Sequence, residues 1–201
     1  MKKTCETRDK LLQVGFDLIW DSSYGSVSVD DICKRADINK GSFYHFFPSK
    51  TDLVMAAYEL HWTEKRPVMD RIFSCQNPPL MRLQNFFELL YSDQKAKAEK
   101  YGHVCGCPFS SVGSELAGVD QRIRGLCDQM MGVATKYMES AISDAMREGS
   151  VSVTDAAASA RHLNSLILGV LLEARVKNSL DEVAQLTNQV FQFLGAKMIA
   201  A

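Results

Sequence analysis

The stretch ADINKGSFYHFFPSKTDLV, residues 36–54, sets Phe43, Tyr44, Phe46 and Phe47 between Lys40 and Lys50, with Gly41 near one end and Pro48 near the other. On a helical wheel of about 100° per residue, Phe43, Phe46 and Phe47 share one side, while Gly41 and His45 point the opposite way, flanked by Ser42 and Tyr44. Pro48 disfavours helical geometry at Phe47 and lacks an N–H, which limits the helix to about two turns. So short a helix is unstable alone. Its phenylalanines must therefore be anchored on neighbouring elements, and Ile32, Ala36, Ile38 and Leu53 are the expected anchors. The outer surface is unusual. Gly41 permits close backbone approach, and Ser42, Tyr44 and His45 offer hydrogen bonds suited to phosphates or base edges. Lys40 and Lys50 fall at helix N-termini, where backbone donors favour a phosphate.

Working outward, residues 29–36 read as a helix capped by Ser28, with Asp30 and Asp31 at its positive end. A turn at Asp37 to Asn39 then leads into the aromatic helix, an order that matches a helix-turn-helix. Leu11, Leu12, Phe16, Leu18 and Ile19 recur at three- and four-residue intervals, so residues 7–22 form a preceding amphipathic helix. Ser49 caps a fourth helix, expected from residue 50 to about 64 and ending before Pro67. Another follows Pro78 and Pro79 through Phe86, Phe87, Leu89 and Leu90, and the stretch YGHVCGCPFSSVGSE reads as irregular. Long helices are expected from Asp120 to about Glu148, stopped by Gly149, and from Thr154 to about Lys177. Ser179 and Glu182 in SLDE read as a capping box for the last helix. No segment reads as a strand, and the fold class is all-α.

The 201 residues carry 46% hydrophobic and 23% charged side chains, an ordinary globular balance, with a formal net charge of −1. Any nucleic-acid contact must therefore come from a local surface. No apolar run approaches the ~20 residues of a membrane helix, and the charged N-terminus leads into a helix containing Asp17 and Asp21, unlike a signal peptide. These features point to a cytoplasmic protein with no membrane partner. The six cysteines are scattered except for Cys105 and Cys107, a pattern of reduced thiols. Lys2, Lys3, Arg8 and Lys10 read either as an arm for DNA phosphates or as a solvated tail.

The stretch from Leu11 to Leu53, above all SVSVDDICKRADINKGSFYHFFPSKTDL, closely resembles the N-terminal domain of the TetR/AcrR family of bacterial transcriptional regulators. The resemblance implies a three-helix DNA-binding domain over residues 1–48, a larger helical ligand-binding and dimerisation domain over 49–201, and a homodimer formed mainly by the last two helices. It places Lys40, Gly41, Ser42, Tyr44 and His45 at recognition-helix positions and Lys50 at a phosphate-contacting position. Asp37 and Ser23 stand where the family usually carries glycine; aspartate tolerates left-handed geometry, so the turn is expected to survive.

The implied function is a dimeric repressor on double-stranded operator DNA of inverted-repeat form, released by an unidentified small-molecule inducer or by electrophile or oxidant modification of a cysteine. Phe86, Tyr91, Cys107, Phe109, Met130, Met131, Tyr137, His162 and Glu173 supply aromatic, soft and polar groups for a ligand pocket. CGCPFSSVGSE also looks like the cysteine-containing segment of TetR-family regulators that respond to electrophiles or oxidants, with Cys107 as sensor and Cys105 as a resolving thiol. The alternative is a buried apolar cysteine beside a noncovalent inducer. Leu163, Leu166, Ile167, Val170, Leu171 and Ala174 on one helix, and Val183, Leu186, Val190, Phe193 and Leu194 on the next, form the expected dimer faces. His103, Cys105 and Cys107 provide three close ligands and no catalytic base, so neither a metal, a cofactor nor an enzyme activity is expected. The competing class is a helical enzyme or metal-binding protein whose N-terminus merely looks like a helix-turn-helix.

Overall fold

A computed structural model describes the backbone of residues 2–196 and the side chains of residues 6–196. All regular elements among them are helices: α1 Lys2–Asp21, α2 Val29–Ala36, α3 Lys40–Phe46, α4 Lys50–Ile72, α5 Pro79–Tyr101, α6 Pro108–Leu116, α7 Gln121–Arg147, α8 Ala156–Lys177, α9 Asp181–Ala184 and α10 Leu186–Leu194. The described residues fall into two compact units, one within Met1–Lys65 and Pro108–Asp128, the other within Arg66–Cys107 and Gln129–Ala201.

In the first unit, Leu11, Phe16 and Ile19 of α1 and Leu53, Ala57 and Tyr58 of α4 are buried. Gly15 makes their approach possible, because a Cβ there would run into Leu53 Cδ2. The expected anchors Ile32, Ala36 and Leu53 are fully buried, as is Phe43 above them. The segment 108–115, expected to be irregular, is instead most of α6. Proline suits the first helical position, and buried Pro108 and Val112 fix the helix by packing. Gly113 brings α6 close to α7, where an added Cβ would stand 3.4 Å from Cys127 Cβ.

In the second unit, α8 packs on α9 and α10, and α5 on α9 and α10. A buried ion pair ties α5 to α7: the Arg82 guanidinium meets Asp144 at 2.5 Å and donates to the Asn77 carbonyl at 2.8 Å. α4 does not end before Pro67 but runs through it to Ile72. The lost N–H is outweighed because Met69 and Phe73, in and just after the next turn, are buried. The cap of α8 is Asp155, whose side chain accepts Ala158 N–H, not Thr154. Ser179 accepts from Asp181 N–H at 3.1 Å and makes no capping box with Glu182, and the last helix is broken at Gln185 into α9 and α10.

Candidate nucleic-acid interface

α2 begins with a full capping box: Asp31 N–H donates to Ser28 Oγ at 3.1 Å, and Ser28 N–H donates to the Asp31 carboxylate at 2.8 Å. That hydrogen bonding from Ser28 holds the Asp31 carboxyl below the ordinary aspartate range. The turn survives the missing glycine. Asp37 adopts φ 55° and ψ 48°, and its N–H reaches the Cys33 and Lys34 carbonyls, closing α2. Asn39 then caps α3, accepting Ser42 N–H at 2.8 Å, a role that reading the segment only as a turn had missed.

α3 sorts its side chains as the wheel predicts, with one exception. Phe43 and Phe47 are buried, Phe46 is only half-buried with its ring against His45 at 5.0 Å, and Gly41, Tyr44 and His45 are exposed. Tyr44 keeps 52% of its surface open, and Ser42 is half-buried beside it. Lys40 is exposed and paired with Asp30 at 2.8 Å, which raises its pKa. Lys34 and Arg35 lie exposed at the end of α2.

Lys50 is held within the chain. Its ammonium donates to the carbonyls of Tyr24 at 2.7 Å and Val27 at 2.6 Å, and lies 3.8 Å from the Tyr24 ring centroid. Burial pushes its pKa down. At the same helix end, Ser49 caps α4 by accepting Asp52 N–H, and the Asp52 carboxylate also receives Arg122 at 2.9 Å. The Arg8 guanidinium sits 5.5 Å from the Phe47 ring and Lys10 is exposed, whereas the Lys2 and Lys3 side chains of the expected arm lie outside the described residues.

The expected ligand residues separate. In the second unit Phe86 and Tyr137 both contact Phe73, at 5.6 and 5.1 Å between ring centroids, and Tyr137 donates to Asp70. Burial and this bond push the Tyr137 pKa up to about 12. Met130 is buried, and Tyr91 and Met131 are half-buried. His162 and Glu173 are exposed on α8, one edge-on to Phe193 and the other paired with Lys177, so they do not join Phe86 and Tyr137. Phe109 packs in the first unit, on Tyr58 at 4.9 Å. Phe73 and Asp70 were missed because α4 was expected to end before Pro67.

The cysteine loop is braced on both sides within the second unit. Gln94 exchanges two hydrogen bonds of 3.1 Å with the Gly106 backbone, and Arg175 donates to the Cys105 carbonyl at 3.1 Å. Gly106 needs its φ of +71°. Cys105 is buried and Cys107 half-buried. No group of three or more His, Cys, Asp or Glu side chains among the described residues could hold a metal ion.

The expected dimer residues are largely spoken for. Leu163, Ile167, Val170, Leu171 and Ala174 of α8 and Val183, Leu186, Val190 and Leu194 are buried within the chain itself, with Leu166 half-buried. Phe193 alone among them is exposed, at 45%. The apolar side chains left open on α8 are Leu172 at 63% and Val176 at 78%.

Two family signatures match this arrangement: "Bacterial regulatory proteins, tetR family" over residues 11–57 and "Tetracyclin repressor-like, C-terminal domain" over residues 79–190. The chain belongs to the TetR/AcrR family. It is a DNA-binding transcriptional regulator of the helix-turn-helix type. Among its relatives, an uncharacterised regulator of Lactococcus lactis is 28% identical over 140 residues, 68% of each chain. AcuR of Cereibacter sphaeroides, a transcriptional regulator, is 30% identical over 115 residues, 57% of this chain and 51% of AcuR. The crystal structure of reduced Escherichia coli NemR, a transcriptional repressor, superposes with a TM-score of 0.80 at 20% identity, covering 96% of this chain and all of that one.

Proposed function

We propose that this TetR/AcrR regulator is a dimeric repressor that reads an inverted-repeat operator with Lys40, Gly41, Ser42, Tyr44 and His45. The observation that carries the reading is the division of α3: Phe43 and Phe47 are buried, and the polar face over them has no apolar side chain to hide. So short a helix contacts few base pairs, and a second copy supplies affinity. The two copies then sit in successive major grooves, roughly 34–36 Å apart or somewhat wider. Residues 1–48 carry the DNA reading and 49–201 the ligand and dimer functions. The names of NemR and of similar regulators support repression over activation.

The partner protomer docks on Leu172, Val176 and Phe193, whose exposure calls for cover. The protein acts in the cytoplasm without enzyme activity or cofactor; among the described residues no helix is long and apolar enough to cross a membrane. The inducer is a small molecule held noncovalently by Phe86, Tyr91, Met130, Met131 and Tyr137 together with Phe73 and Asp70, a reading supported by the Phe73 ring meeting those of Phe86 and Tyr137 and by the Tyr137 hydroxyl donating to the exposed Asp70. A second reading, modification of the Cys107 thiol by an electrophile or oxidant, is favoured by its partial exposure beside the loop on which Arg175 places a positive charge.

Selection of duplexes from a random library, followed by sizing of the complex, tests the central reading. Two-fold symmetric sequences bound by two protomers are expected, with affinity falling as salt rises. Asymmetric sequences bound by a single protomer would contradict it. Peroxide or quinone treatment of the bound complex separates the two control readings, since the Cys107→Ser protein stays on DNA only if that thiol is the sensor.

A further inference from the structure

The turn between α1 and α2, residues 22–28, is gripped from two sides by opposite charges. From α6, the two oxygens of Glu115 accept the backbone N–H of Tyr24 at 3.3 Å and of Gly25 at 2.7 Å. From the start of α4, the Lys50 ammonium takes the carbonyls of Tyr24 and Val27 at 2.7 and 2.6 Å. The Tyr24 hydroxyl adds a 3.0 Å hydrogen bond with Thr51 Oγ1 on α4. A carboxylate thus holds the donors of the turn and an ammonium its acceptors, the stronger kind of hydrogen bond in each case. A Cβ on Gly25 would stand 3.2 Å from the Glu115 carboxylate, so the glycine leaves the clamp its room.

This turn decides where the reading surface points. It runs directly into Ser28, the cap of α2, and α2 carries α3 through the left-handed Asp37. α6 is itself seated on α4, where the buried Tyr58 hydroxyl donates to the Pro108 carbonyl at 2.9 Å and Phe109 packs on the Tyr58 ring. From Pro108 to Glu115 is about 10 Å along one helix. α6 also begins at the residue after Cys107. The carboxylate that reaches Tyr24 and Gly25 is therefore carried on a helix whose first turn is fixed to α4.

We propose that Glu115 is a positioning residue for DNA reading: its carboxylate, working against Lys50, sets the α2–α3 pair on α4. The inference rests on the assignment of α3 as the reading helix. It also gives Lys50 a role in holding the turn instead of a phosphate.

The experiment measures affinity for the duplex that wild type selects, together with thermal unfolding and hydrogen exchange at the Tyr24 and Gly25 amides. Glu115→Ala is expected to bind about 10-fold more weakly and Glu115→Gln about 3-fold, since an amide oxygen keeps an acceptor without the charge. Melting should stay within about 2 °C of wild type, while the two amides exchange faster. Lys50→Ala should also weaken binding, and the double variant should lose less than the two single losses combined, because both grips hold one turn. Wild-type affinity in Glu115→Ala overturns the proposal, as does a loss of affinity that tracks a fall in melting temperature with the two amides unchanged. If wild type selects no duplex at all, the assignment of α3 fails and this inference goes with it.

Discussion

α3 and α8 pose the same question, which side chains face inward, and only α3 answers it from its sequence. From residue 40 to residue 47 the three phenylalanines share one side of the helical wheel and the polar side chains the other, so the outward face follows by subtraction. α8 carries Leu163, Leu166, Ile167, Leu168, Val170, Leu171, Leu172, Ala174 and Val176, which leave hardly any polar marker between core and interface. Periodicity there selects an apolar face but does not say whether the chain itself or a partner covers it. Leu171 is buried in the chain's own core, and the adjacent Leu172 is open. A functional surface is legible when its chemistry differs from that of the core, and illegible when both are built from leucine and valine.

The largest effect that could break this comparison is expected at Leu171 and Leu172. Leu171→Asp places a charge in the core and should cost more than about 4 kcal/mol, enough to lose the fold. Leu172→Glu should keep the helical circular dichroism signal and yield monomers by light scattering. A folded, monomeric Leu171→Asp protein would return that side chain to the dimer face.

Next comes α3. Phe43→Ala should destabilise by about 4 kcal/mol in chemical unfolding, as expected for a buried phenylalanine. Half-buried Phe46→Ala should cost clearly less, and Tyr44→Ala no more than about 0.5 kcal/mol. Equal losses at Phe43 and Tyr44 would erase the distinction between the two faces.

In the second unit, Asp144→Ala should cost about 3 kcal/mol, because it leaves the buried Arg82 charge without its partner. The Arg82 hydrogen bond holds the Asp144 carboxyl below its ordinary value of 3.8. A depressed folded pKa means that this stabilisation is present above pH 3.8 and is lost as pH falls through the lowered value. Unfolding curves below pH 3.8 should therefore be less steep in pH for Asp144→Asn than for wild type. At the alkaline end the sign is the same as for any raised pKa: the Tyr137 contribution is whole below its ordinary value of 10.0 and fades as pH rises toward about 12. Tyr137→Phe should flatten that decline, a smaller effect, and an unchanged alkaline slope would show that the phenol does not titrate there.

Most of the first three helices was legible because local signals agree: the Ser28 cap, the left-handed Asp37, Pro48 as a stop and the phenylalanine spacing all specify one motif. The errors arose where tertiary packing overrode a local signal. Pro67 fails to end α4 because Met69 and Phe73 are anchored beyond it, and that continuation hid Phe73 and Asp70 from the candidate pocket. Gly113 disguised α6 as a loop, although in the structure the glycine permits contact with Cys127. Lys50 occupied the expected motif position, but nothing local to it shows that its ammonium folds back onto a turn more than twenty residues upstream.

The central claim, that the exposed side of α3 reads DNA while its buried side only holds it in place, is tested most directly by fluorescence anisotropy on the selected duplex. The Tyr44→Ala, His45→Ala double variant should melt with wild type and bind at least about 30-fold more weakly, the loss of roughly 2 kcal/mol expected from two contacting side chains. Undiminished affinity in a folded double variant would contradict the account.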